Sequence, residues 1–162
     1  MFNIITLSNI IGVLIMSINT CEFKVEGQPV GKARPRFSRK NGRVYTPEKT
    51  REYEAKVKKA AWVAMKENKL EPATGRCSVI ITCYMEIPKS YPRQKRLYCQ
   101  HGIIIPPRPD IDNLIKSALD GANEVIFLDD AQVWHVSAFK RYTENGQEPH
   151  MVIKAQWETK LE

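Results

Sequence analysis

The 162-residue chain has no CxxC pair, no internal repeat, no low-complexity tract and no acidic excess. Its four cysteines, Cys21, Cys77, Cys83 and Cys99, have no matching histidine spacing. That excludes zinc-ribbon and thioredoxin-like motifs and predicts buried free thiols in a reducing, cytoplasmic compartment. Side-chain charge is missing from the first 19 residues, and the first charged side chain is Glu22. Read as a helix, MFNIITLSNIIGVLIMSI would span about 27 Å and only just reach across a bilayer core. No Lys or Arg precedes it, no small-residue cleavage site follows it, and Asn3, Ser8 and Asn9 interrupt it. Residues 1–18 are therefore expected to be a non-essential apolar extension, or a start assigned too early, ahead of a single domain over 19–162. An extra packed element or a membrane segment is the less favoured reading. With 43% hydrophobic and 27% charged residues, collagen-like, disordered and multi-span membrane classes are excluded.

What the chain does have is positive charge: 25 Lys and Arg against 18 Asp and Glu, a net +7. The distribution says more than the total. Residues 110–132 hold six acidic side chains and one lysine, a net −5, so the remainder of the chain stands at +12. A basic protein drawn to a polyanion gains nothing from clustered carboxylates unless they hold a cation or act on the bound phosphate.

Alternation of Phe23 and Val25 with charged neighbours predicts a strand over Cys21–Glu26. The loop GKARPRFSRKNGRVYT follows, and its Asn41-Gly42 turn predicts a basic β-ribbon over 36–45. Thr46-Pro47 reads as a helix start with Thr46 as the cap, and Tyr53, Val57, Ala60, Ala61 and Ala64 give a helix to Glu67. Residues 76–87 alternate, with Cys77, Val79, Ile81, Cys83, Met85 and Ile87 on one face, so a disulfide between Cys77 and Cys83 is implausible. A basic connector with a short helix over Pro92–Cys99 leads to IIIPPRPD, then a helix from Asp112 to about Asn123. Strands follow over Val133–Tyr142 and Met151–Trp157. Strands and two main helices that do not alternate regularly predict a single-domain α+β fold with a mixed or antiparallel sheet.

The segment PDIDNLIKSALDGANEVIFLDDAQ carries the densest chemistry. If the extended backbone imposed at Pro109 continues to Asp112, then Asp110 and Asp112 point to one side, Asp112 caps the next helix, and Lys116 follows one turn later. Two carboxylates with a lysine one turn on can bind one divalent cation and a phosphate oxygen together. Asp129 and Asp130 are adjacent, so in a strand only one can join such a site; the pattern alone leaves the choice open. The plain alternative is a helix cap and a surface ion pair worth a few tenths of a kcal/mol.

PDIDNLIKSALDGAN followed by FLDDAQV resembles the D-x-D-N-L-x-K … D-D-x-Q signature of the RusA family of Holliday-junction resolvases. GKARPRFSRKNGRVYTPEKTREYE is similar to the opening of RusA-type proteins of bacterial chromosomes and prophages, and the likeness runs from about residue 21 to 157. The resemblance implies a homodimeric endodeoxyribonuclease, dependent on Mg²⁺ with Mn²⁺ as a substitute, that cuts four-way or branched DNA in recombination and repair and takes no small-molecule substrate. It places the essential carboxylates, as catalytic and metal-binding residues, on Asp110, Asp112 and Asp130, and the important lysine on Lys116. The basic residue that precedes the first aspartate in some members is Pro109 here, and Arg108 stands one position earlier. A non-catalytic branched-DNA-binding module of the same fold is the competing implication.

DNA contacts are expected from Arg34, Arg36, Arg39, Lys40 and Arg43 on the ribbon, from Lys89, Arg93, Lys95 and Arg96 on the second basic connector, and from Arg108. Phe37 and Tyr45 are read as packing residues rather than wedges at a junction centre. His101, His135 and His150 are read as structural or surface residues, Asn113 as a helix-start hydrogen-bonder, and Asp120 as solvated or structural rather than a support for the metal site.

Overall fold

The computed structural model describes residues 16–37, 39 and 42–160, without the side chains of Met16, Arg36 and Lys160. Most of the predicted extension, and Lys40 and Asn41 of the predicted ribbon, lie outside the described residues. Ten elements follow in order: β1 (Met16–Glu26), β2 (Arg36–Phe37), β3 (Val44–Tyr45), α1 (Glu48–Glu67), β4 (Cys77–Met85), α2 (Arg93–Gln100), α3 (Ile111–Ala122), a 3₁₀ turn (Asp130–Gln132), β5 (Val133–Tyr142) and β6 (His150–Lys160).

Period-two alternation builds a four-stranded sheet of order β1-β6-β4-β5. β6 pairs antiparallel with both β1 and β4, whereas β4 and β5 run parallel, so the sheet is mixed. The parallel pair needs a crossover, and residues 86–132 supply it with α2 and α3. The core side of the sheet is Cys21, Phe23 and Val25 of β1, Cys77 to Met85 at every second position of β4, and Met151, Ile153, Ala155 and Trp157 of β6. All four cysteines are buried free thiols. α1 and α3 cover that side, meeting where Gly121 of α3 lies against Val57 and the Glu54 carbonyl of α1. The other side of the sheet leaves Ile80 and Phe139 exposed. Opposite the Cys77–Ser78 step the register with β5 skips Trp134.

Several boundaries depart from the sequence reading. β1 begins at Met16, which pairs with Lys160 at the far end of β6, so residues 16–18 belong to the sheet. Pro47, not Thr46, occupies the cap position of α1, and its carbonyl accepts from the N–H groups of Thr50 and Arg51. α3 begins at Ile111, one residue earlier than expected, which moves the cap position from Asp112 to Asp110. Among the described residues the helices are three, the two main ones and the expected short connector helix, which runs over Arg93–Gln100 rather than Pro92–Cys99.

Candidate active site

The acidic segment wraps around α3. Its entry, PPRPD, contains three prolines and so has few N–H groups with which to tie itself down. It is fixed from outside on two sides. On one, the loop after β1 packs against it: Gly31 lies where an added Cβ would stand 3.0 Å from the Pro109 Cβ and 3.1 Å from the Asn113 Cβ. Lys32 N–H donates to the Asn113 carbonyl at 2.8 Å, and the Ser117 hydroxyl donates to the Val30 carbonyl at 2.6 Å. On the other side, Lys140 of β5 donates from Nζ to the carbonyls of Pro107 (3.2 Å) and Pro109 (2.9 Å).

Held this way, Asp110 takes an extended backbone (φ −66°, ψ 145°) at the cap position of α3, yet its side chain makes no capping hydrogen bond. Asp112 lies in the first turn rather than at the cap, which departs from the sequence reading. Their side chains are 59% and 62% exposed, so both carboxylates are open to a ligand from solvent. The Lys116 ammonium is 3.4 Å from Asp112 Oδ2, and the Arg108 guanidinium 3.9 Å from Asp110 Oδ2. An open cleft of about 560 Å³ beside them is lined by Gly31, Lys32, Lys49, Thr50, Arg108 and Asp110. Sequence reasoning missed Lys49, a lone lysine at a helix start.

Asp130 stands elsewhere. The turn that holds it is built by Gln132, whose Oε1 accepts from the N–H groups of Leu128 and Asp129 while Nε2 donates to the carbonyls of Ala73 and Gly75. Asp129 is consumed as the cap of this turn, accepting from the Ala131 N–H at 2.8 Å. Asp130 is exposed and has no ion pair or side-chain hydrogen bond among the described residues. Its turn follows Phe127, which bridges to Asn123 just past the C-terminal end of α3. Asp110 and Asp112 are at the N-terminal end, and the 12-residue helix between the two places is about 18 Å long.

The six acidic residues of 110–132 thus divide into two groups. Asp120 pairs with Lys32, whose ammonium also stands 2.8 Å from Glu54 and so ties the loop after β1 to α1 and α3. Burial disfavours that ammonium, but Asp120 and Glu54 outweigh it and hold the Lys32 pKa above the usual lysine value. Glu124 pairs with Lys58 of α1 at 2.9 Å, and Asp129 caps its turn. The remaining three, Asp110, Asp112 and Asp130, have no structural task beyond the contacts with Arg108 and Lys116. Hard divalent cations take carboxylate oxygens, so the donor chemistry of Asp110 and Asp112 fits such an ion. Among the described residues, however, no three acidic, cysteine or histidine side chains come together. One chain offers two donors at one end of α3 and a third beyond the other.

The basic residues assort likewise. Arg34, Arg39, Lys89, Arg93 and Arg108 are exposed, and Arg43 is exposed beside β3. Arg36 pairs with Tyr45 through the backbone of the ribbon; Lys40 lies outside the described residues. Lys95 lies over the Tyr91 ring at 3.6 Å and Arg96 donates to the Pro88 carbonyl at 3.4 Å, so these two have local partners. Phe37 and Tyr45 are not packing residues, as the sequence reading had them: they are 65% and 48% exposed because a two-residue ribbon has no second layer to cover it. His101 and His135 are exposed, and His150 is buried and stacked on Tyr84. No described helix is long and apolar enough to cross a membrane.

The family model of the endodeoxyribonuclease RusA matches residues 26–155. The chain is also 32% identical over 136 residues to the uncharacterized protein YqaN of Bacillus subtilis strain 168, an alignment that covers 81% of this chain and 94% of that protein. The chain belongs to the RusA endodeoxyribonuclease family.

Proposed function

We propose that this RusA-family chain is a Mg²⁺-dependent endodeoxyribonuclease that resolves four-way DNA junctions as a homodimer, each active site drawing on two copies of the chain. The observation that carries the reading is the division of the acidic segment: Asp110 and Asp112 face solvent with only exposed ion contacts to Arg108 and Lys116, and Asp130 has no partner among the described residues, while Asp120 and Asp129 are engaged in the fold. Asp110 and Asp112 would hold the ion, Mn²⁺ being a substitute for Mg²⁺. Bound there, it would activate water and offset charge on the scissile phosphate. Lys116 offers a point charge to a non-bridging phosphate oxygen at the same helix end. Arg108 and Lys49 line the approach and favour an anionic backbone. Arg34, Arg36, Arg39, Lys40 and Arg43 on the ribbon, with Arg93, Lys95 and Arg96, would position duplex arms through phosphate contacts. The exposed Phe37 and Tyr45 beside them offer flat apolar surface to unstacked bases.

Separation by the length of α3 supports the dimer. Asp130 cannot complete a site with Asp110 and Asp112 of its own chain without dismantling the helix between them, whereas a second copy related by a two-fold axis can present its Asp130. The same axis would give two sites, matching the paired cuts a junction requires. The test is a synthetic four-way junction incubated with the protein. The wild type is expected to yield nicked duplexes with Mg²⁺ and none with chelator, and Asp112→Asn to bind the junction without cutting it. Binding without cleavage by the wild type at every Mg²⁺ or Mn²⁺ concentration would instead identify a non-catalytic branched-DNA-binding module.

A further inference from the structure

We infer that Lys140 is a positioning residue for the metal-binding carboxylates, holding Asp110 in place through the backbone of the proline-rich strap before α3. This rests on the functional reading above. Lys140 occupies a core-side position of β5, opposite Cys83 of β4, and reaches under the start of α3. Its ammonium donates to two carbonyls, Pro107 at 3.2 Å and Pro109 at 2.9 Å, and the second is joined directly to the Asp110 nitrogen. No carboxylate lies within ion-pair distance of it among the described residues, so neutralising an acidic neighbour is not its task.

The sequence of the strap explains the need for a lysine. Pro106, Pro107 and Pro109 have no N–H groups, so the strap has only the Arg108 N–H with which to join a ladder or donate to the sheet beneath it. Carbonyls are what it has to offer, and a charged donor with three hydrogens is suited to gathering two of them. With the strap pinned, the Asp110 carboxylate needs no capping bond to hold its backbone, and it has none. Pinning from β5 therefore substitutes for the cap and leaves the carboxylate available.

A purely structural lysine and a positioning one differ in what their removal changes. Lys140→Met keeps most of the aliphatic stem and removes the donor, and Lys140→Gln keeps a weaker neutral donor. Each is compared with the wild type and Asp110→Asn for Mn²⁺ binding to the DNA-free protein, for the Mg²⁺ dependence of junction cleavage, for junction binding in chelator and for melting temperature. Loss of a partner that orients a metal ligand weakens metal binding by about 10- to 100-fold. Lys140→Met is expected to show a loss of that size in Mn²⁺ affinity, a matching shift in the Mg²⁺ requirement partly rescued by excess metal, and junction binding within about twofold of wild type. Lys140→Gln should fall between the two. Mn²⁺ affinity and Mg²⁺ requirement unchanged in both variants would overturn the inference, as would failure of both to fold, which would make Lys140 a core determinant. If the wild type itself binds no Mn²⁺ and cuts nothing, the functional reading fails and this one with it; if the wild type binds and cuts but Lys140→Met does so equally, only this one fails.

Discussion

Two individually inactive variants, Asp112→Asn and Asp130→Asn, should regain cleavage when combined. In a dimer whose sites each take Asp110 and Asp112 from one copy and Asp130 from the other, a mixed pair concentrates both lesions in one site and leaves the other intact. The structural basis is the 12-residue α3, which puts about 18 Å between the two ends of the helix. The path along β5 agrees: Lys140, beneath the Asp110 strap, is seven residues beyond Val133, roughly 23 Å at strand rise. No side-chain rotation spans that distance. Random pairing at equal concentration makes about half of the dimers mixed, each with one good site of two, so about a quarter of the wild-type sites should be active. The assay uses a four-way junction with each strand end-labelled in turn, and follows single-strand nicks on denaturing gels and paired resolution on native gels. Nicking should return to roughly a quarter of the wild-type rate, while paired resolution within one encounter stays near background. Were every site built within one chain, each site in the mixture would contain one lesion and nothing would return. Recovery no greater than that of either parent therefore refutes the shared site.

Three further outcomes test how the fold holds the site. Gly121→Ala would put a Cβ 2.5 Å from the Val57 Cβ and 2.9 Å from the Glu54 carbonyl oxygen. Overpacking of about 1–3 kcal/mol should exceed the roughly 1 kcal/mol gained in helix propensity, so the melting temperature falls by several degrees in a circular-dichroism scan; an unchanged or raised one refutes the close approach. Gln132→Ala removes the side chain that satisfies Leu128 and Asp129 and tethers the turn to Ala73 and Gly75, at a cost of about 1–3 kcal/mol. Junction cutting should drop at constant junction affinity, and equal loss of both would argue against a role confined to the Asp130 turn. Burial pushes the Cys83 thiol up to about 12, with Lys140 pulling slightly the other way, and pushes Cys21 and Cys77 up to about 11. Native protein at pH 8 should therefore resist thiol reagents until denaturant is added. Because the folded thiols keep their protons where unfolded ones, with ordinary values near 9, lose them, their contribution to stability is complete below pH 9 and drains away as pH rises toward 12. A denaturation midpoint that does not fall between pH 8 and pH 10.5 would contradict that burial.

The sheet was legible because its signal is local. Cys77, Val79, Ile81, Cys83 and Met85 alternate without interruption, and the structure buries all five. The apolar spacing of α1 and α3 was equally plain, and the polar turn between Tyr142 and His150 marked the connection from β5 to β6, which lie on either side of β4. The cap of α3 was not legible. Asp112 precedes a good helical pattern and looks like a cap, but the helix starts at Ile111 because Lys140 and Gly31, 31 and 78 positions away from Pro109, hold the strap in place. Lys32 was invisible for the same reason: one lysine in a basic loop gains its meaning only when folding brings up Asp120, 88 residues distant. Phe37 and Tyr45 were misread because a ribbon and a packed hairpin share one alternation, and only the absence of a covering layer separates them.

The choice between Asp129 and Asp130 shows what the fold adds to a composition argument. In the sequence they are equivalent neighbours within a net −5 segment, and the family resemblance alone favours the second. In the structure Asp129 accepts the Ala131 N–H and shares the turn with Gln132, so neutralising it should loosen the turn. Asp130 has no such partner, so neutralising it should leave the turn intact. Asp120 and Glu124 tie separate elements together through Lys32 and Lys58, whereas Asp110 and Asp112 have only local contacts, to Arg108 and Lys116. Of Asp110, Asp112 and Asp130, only Asp130 forgoes a Lys or Arg partner among the described residues. Asp130 without a partner among the described residues, and Asp110 and Asp112 with only exposed ion contacts, are the carboxylates of the segment left open to a ligand. Their location at opposite ends of a rigid helix then turns a question about metal binding into one about how two chains meet.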